Sequence, residues 1–240
     1  MREWLEDAFS WLIEEFGIEA LRSRPVVLPS PAYFPDPYDA SEEAVNRLVT
    51  QICAYMGVGR KRVDVELFSD GAPSADPRHP VQMEEYSGAA GLYQATGRKY
   101  RAIVSINESL LGDAGAVVAT TAHELAHVLL LGDRRLNEKD ASHELMTDLL
   151  TVFLGLGIFT ANSACQFREW TDNEMTGWST SATGYLREEE YGYAFALRAA
   201  LSPESDASWK SHLNTNVRHF YRKSARYLSK RPPDYFKEYV

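Results

Sequence analysis

His123 and His127 stand four residues apart, with Glu124 directly after the first, in the run His123-Glu124-Leu125-Ala126-His127. On an α-helix a four-residue step returns to within about 40° of the same azimuth, so both imidazoles can reach one metal ion. Glu124 is turned away from His123 by about 100°. That offset keeps it out of the ligand pair but beside an open coordination position, where a carboxylate can accept a proton from metal-activated water. The bland alternative is a chance coincidence of letters within a hydrogen-bonded core. Context argues against it: these are the only strongly polar side chains between Ala114 and Leu131, and burying them without partners costs several kcal/mol. A metal supplies the partners.

At these residues the chain resembles the zincin metallopeptidases, whose branches differ in the third protein ligand. The metzincin pattern requires Gly and His where this chain has Leu130 and Asp133, so that branch is excluded. The gluzincin pattern takes a Glu from a following helix, with an Asp four residues later and a small hydroxyl residue just before it. His143-Glu144-Leu145-Met146-Thr147-Asp148 is similar to that arrangement, with His143 in place of the usual Asn and 16 residues between His127 and Glu144. The resemblance covers residues 113 to about 155. It implies zinc held by His123, His127 and Glu144, with Glu124 as general base and Asp148 hydrogen-bonded to a ligand histidine, His123. His143 and Asp148 are the rival third ligands. The resemblance also implies a peptide or protein substrate, although the ligands alone would equally serve another amide or an ester.

The elements around these residues must bring them together. Asp113 is the expected N-cap of a helix reaching Leu131, ahead of Gly132. A second helix, capped by Ser142 or Asp140, runs to about Gly155, giving an antiparallel hairpin over about 113–155. His127 lies five residues before Gly132, about 7.5 Å of helix rise, and Glu144 lies in the first turn of the second helix, so both fall near one end of the hairpin. Upstream, apolar residues from Trp4 to Phe16 recur at helical spacing and stop at Gly17. Val26-Val27-Leu28 is a short strand candidate in a Pro-rich stretch. Asp39 and Glu42 resemble a capping box for a helix ending near Met56. Val63–Phe68 alternates as a strand does, and Gly91–Thr96 and Tyr100–Ile106 read as two strands joined across Gly97-Arg98-Lys99. The last of these is the candidate edge strand for aligning an extended substrate, as in zincins. Tyr185–Leu201 and Asn214–Leu228 read as helices. The expected fold is therefore α+β and zincin-like: one domain with a small, mostly antiparallel sheet packed against helices and a mainly helical C-terminal part over about 185–240.

Tyr191 and Tyr193, flanking Gly192, are the candidate donors to charge developing on a substrate oxygen, since glycine permits close backbone approach. His79, His212 and His219 lack comparable partners and read as surface or core residues.

Composition narrows the functional classes. The chain has 25 Lys and Arg against 34 Asp and Glu, a net charge of −9, which disfavours nucleic acid as a partner. Arg218, Arg222 and Arg226 recur at every fourth position, as one solvated helix face does. Cys53 and Cys165 are the only cysteines and form neither a disulfide framework nor a cysteine-rich metal site. The longest mostly apolar stretch, Leu149–Ala161, has 13 residues, too few to cross a bilayer. The acidic opening segment does not fit a secretory leader, and the expectation is a cytoplasmic protein without a membrane span.

Overall fold

Apolar residues at every third or fourth position bury one face of each of the first long helices. In the structure, a computed structural model describing residues 1–69, 90–95, 101–164, 186–202 and 208–239, α1 (Arg2–Phe16) buries Leu5, Ala8, Phe9, Leu12 and Ile13. It stops at Gly17, whose φ of 81° favours glycine. A short α2 (Ile18–Arg22) follows. Residues 26–28 form no strand; Val27 N–H instead donates to Gly155 O at 2.8 Å. Helix α3 (Glu42–Met56) begins two residues later than a box on Asp39 would place it. Ser41 caps Ala44 N–H, while Asp39 accepts from both the Ser41 amide and its hydroxyl.

Among the described residues the sheet has three strands, in the order β1 (Val63–Phe68), β3 (Ala102–Asn107), β2 (Gly91–Ala95). It is mixed rather than mostly antiparallel: β2 pairs antiparallel to β3, as the expected hairpin requires, but β1 pairs parallel to β3. β3 lies between the other two strands, in the place next to β1 that an unbroken meander would have given to β2. All six β3 residues are buried, as a strand covered on both edges and both faces requires. The candidate edge strand is thus the central one, and the edge beside the hairpin belongs to β2. Tyr100 lies outside the described residues.

Helix α4 (Ala114–His127) packs against α3, α5, β2 and β3. Asp113 caps it by accepting from Gly115 and Ala116 N–H. The α-helical pattern ends at His127 and continues as a π-turn over Val128–Gly132. Together these 19 residues form a stretch long and apolar enough to cross a membrane, but 83% of its apolar window is buried inside the fold. The core accounts for its composition.

Helix α5 (His143–Phe153) follows, then α6 over residues 157–164. Helix α7 (Glu188–Leu201) is buried along most of its length and packs on α8 (Thr215–Leu228). Arg198 of α7 is buried and donates to Phe153 O and Arg24 O, joining the ends of α5 and of the N-terminal segment. The architecture is α+β, with the sheet on one side of α4 and helices on the other.

Candidate metal centre

Two helices running in opposite directions supply the centre. His127 meets Thr147 and Glu144, whereas His123, one turn earlier on α4, meets Glu144 and Asp148 further along α5. Glu144 Oε2 lies 3.0 Å from His123 Nε2 and 3.5 Å from His127 Nε2. Ligand atoms of His123, His127 and Glu144 all fall within 4.8 Å of one another. Tetrahedral zinc with bonds of about 2.0–2.2 Å needs neighbouring ligand atoms roughly 3.3–3.5 Å apart. The two distances from Glu144 bracket that spacing, and two imidazoles with one carboxylate are a donor set that zinc accepts, so the three side chains could hold one ion.

The histidine tautomers suit that role. His123 Nδ1–H donates to Asp148 Oδ1 at 3.0 Å. Thr147 Oγ1 donates its hydrogen to His143 O at 2.8 Å, leaving a lone pair for His127 Nδ1–H at 3.3 Å. Both Nε2 atoms are thus turned toward the shared point, with their rings fixed by carboxylate or hydroxyl partners. Asp148 is itself held, because its second oxygen accepts Leu186 N–H at 3.0 Å. Asp148 occupies the position behind His123 and is not among the three clustered ligands. His143 Nε2 approaches the outer oxygen, Glu144 Oε1, at 3.1 Å, and its Nδ1–H donates to Asp140 O.

Without a metal, the charges settle among these groups. Burial disfavours a charged His123, but Asp148 and Glu144 outweigh it and hold the imidazolium well above the ordinary histidine value. Burial likewise opposes Glu144 ionisation, yet hydrogen bonds from His123 and His127 keep its carboxyl below the usual range. Glu124, 5% exposed, is shifted upward by burial, against the pull of the two histidines. Its carboxylate lies against Gly91 at the start of β2, where a Cβ would come within 3.0 Å of Glu124 Oε1.

Comparison of the chain with protein-family models, with curated proteins and with solved structures returned no match.

The candidate oxyanion donors behave differently. Tyr193 donates its hydroxyl to Glu6 of α1, and its ring neighbours Tyr227 of α8. A phenol has one hydrogen to give, and that of Tyr193 is committed to the α1 contact. Tyr191 is 1% exposed in the α7 core. The close approach that Gly192 permits is to α8, since a Cβ there would stand 2.8 Å from both Phe220 C and Tyr221 N. His212 and His219 are exposed, and His79 and Cys165 lie outside the described residues.

Sequence reasoning overlooked Tyr93. Its ring stacks on His127 with centroids 5.9 Å apart and planes inclined by 28°. The signal was present in part: Gly91 and Tyr93 are two residues apart and so share one face of β2. That this face meets α4 follows only from the strand order.

Proposed function

We propose that this chain is a metal-dependent peptidase of gluzincin type, with His123, His127 and Glu144 holding one zinc ion. The single observation carrying the catalytic reading is Glu124: a buried carboxylate beside the ligand cluster that is not part of it. A purely structural site has four protein ligands and no use for such a group. When bound, the ion supplies Lewis acidity, which makes water a better proton donor near neutral pH and polarises a carbonyl oxygen. Glu124 accepts the proton from the attacking water and returns it to the leaving amine. Its upward-shifted pKa suits both halves of that exchange. Asp148 and Thr147 orient the two imidazoles, and Glu144 contributes the anionic ligand. Peptide as the substrate class rests on the resemblance and on β2, the edge strand among the described residues, which packs on α4 and would give an extended chain a strand to pair with.

The test is zinc-loaded protein presented with a peptide library, alongside Glu124→Gln. The expected result is one bound zinc in both proteins, with hydrolysis reduced by roughly 10²–10⁴-fold in the variant. Equal hydrolysis by the two proteins would overturn the assignment of Glu124. Stoichiometric zinc without turnover in either would instead make the chain a metal-dependent sensor or interaction protein.

A further inference from the structure

The two histidines of the cluster are held very differently. His123 is gripped at both ring nitrogens by carboxylates 3.0 Å away. His127 is held more loosely, by a neutral hydroxyl at 3.3 Å from its Nδ1 and by Glu144 at 3.5 Å from its Nε2. Hydrogen bonding at those lengths restrains rotation of the ring about its Cβ–Cγ bond only weakly. The remaining constraint is packing. The rings of His123 and His127 meet edge to face at 4.9 Å and 82°, His143 stands tilted by 47° at 5.9 Å, and Tyr93 alone lies stacked on His127.

Tyr93 is itself fixed. Its strand is paired to β3 with Tyr93 opposite Val104, and the neighbouring same-face residue, Gly91, has no Cβ to hold β2 off α4 at Thr120 and Glu124. At the far end of the ring, the Tyr93 hydroxyl abuts Gly132, where a Cβ would come within 3.2 Å of it. The π-turn that brings Gly132 there is anchored by Asp133, which pairs with Arg62 at 2.5 Å. The ring is therefore bounded by strand pairing at its base and by the π-turn at its tip.

We propose that Tyr93 is a positioning residue for His127: its ring face, not its hydroxyl, keeps the imidazole turned toward the shared ligand point. Its consequence for metal binding rests on the metal-site reading above, whereas its effect on His127 does not. The face does the holding, so phenylalanine should replace tyrosine and leucine should not.

The experiment starts with metal-free protein and the ring protons of His127, observed by NMR in the wild type, Tyr93→Phe and Tyr93→Leu. Stacking under an aromatic face shifts these signals upfield of those from the exposed His212. The shift is expected in the wild type and in Tyr93→Phe, and should be lost in Tyr93→Leu. Wild-type His127 signals at the positions of an exposed histidine would overturn the proposal without recourse to any variant. Zinc affinity is then measured by chelator competition. Tyr93→Leu should bind about tenfold more weakly, as when an orienting partner of a ligand is lost, and Tyr93→Phe within about twofold of the wild type. Unchanged affinity in a folded Tyr93→Leu protein would also defeat the proposal. A wild type that binds no zinc defeats the metal reading alone, and the ring signals still decide the role of Tyr93.

Discussion

Asp148 satisfies two donors with two oxygens: Oδ1 accepts His123 Nδ1–H and Oδ2 accepts Leu186 N–H, each at 3.0 Å, and the residue is 2% exposed. Asparagine has the same shape but one acceptor oxygen, so Asp148→Asn must turn an amide N–H₂ toward one of two N–H groups. The substitution is expected to destabilise the protein by about 1–3 kcal/mol in urea unfolding, the cost of an unmet buried donor. It should also weaken zinc binding by roughly 10–100-fold in chelator competition. Full retention of both properties would show that the pairing with His123 does not orient the ring. The His123 side of this arrangement is legible in sequence because Glu144 and Asp148 share a helix face and four-residue spacing is a local property. The Leu186 side is not. It joins residues 38 apart along the chain, and a backbone N–H carries no sequence signature.

Two glycines decide how closely neighbouring elements approach, and substituting them should have separable effects. A Cβ at Gly91 would overlap Thr120 Cγ2 and stand 3.0 Å from Glu124 Oε1. Both neighbours are buried on the central helix, so β2 must retreat or the Glu124 carboxylate must move. Gly91→Ala is therefore expected to lower peptide hydrolysis more than zinc affinity, at a stability cost of about 1–3 kcal/mol from overpacking. At Gly192 the Cβ would meet α8 backbone at 2.8 Å, remote from the ligand cluster along the chain and engaged with a different helix. Gly192→Ala should cost similar or greater stability by forcing α7 from α8, while zinc affinity of the folded protein stays unchanged. Thermal melts and zinc titrations on the two variants check both halves, and a loss of zinc affinity in Gly192→Ala would contradict them. Element positions along the chain were readable from periodicity, including the hairpin of α4 and α5. Strand order was not, because the hydrophobic character of β3 is the same whether it lies at an edge or in the middle. That one non-local fact moves the edge from the expected Tyr100–Ile106 to Gly91–Ala95 and brings Tyr93 and Gly91 onto the centre. The π-turn after His127 was equally hidden, since Val128–Gly132 continues the apolar pattern of α4 without a break.

For the molecule as a whole, the proposed ligands are brought together only by folding: two come from α4, the third from α5, and their neighbours from β2 and the residues leading into α7. An ion that binds this arrangement and not the unfolded chain stabilises the fold by RT ln(1 + [L]/Kd), about 2.7 kcal/mol at a hundredfold excess over Kd. For a chain of this size that corresponds to a rise in Tm of roughly 5–11 °C. The increment should depend on pH, with a sign set by His123. In the metal-free protein its folded pKa is raised, so the stability this contributes is complete below the unfolded value of about 6.5 and is lost as pH rises through the folded value. Glu144 has the opposite sense: its pKa is depressed, and its contribution is complete above about 4.3 and is lost as pH falls. Zinc must displace the proton that His123 Nε2 shares with Glu144, so its affinity strengthens as pH rises and that proton becomes easier to remove. Between about pH 6.5 and the raised His123 value, the metal-free protein therefore weakens while zinc binds more tightly. Scanning calorimetry at fixed free zinc should show the gap in Tm between loaded and chelator-treated protein widening across that range, with proton release on binding in matched calorimetric titrations. A gap that narrows with pH would mean that zinc does not compete with the proton at His123 and would remove that residue from the ligand set.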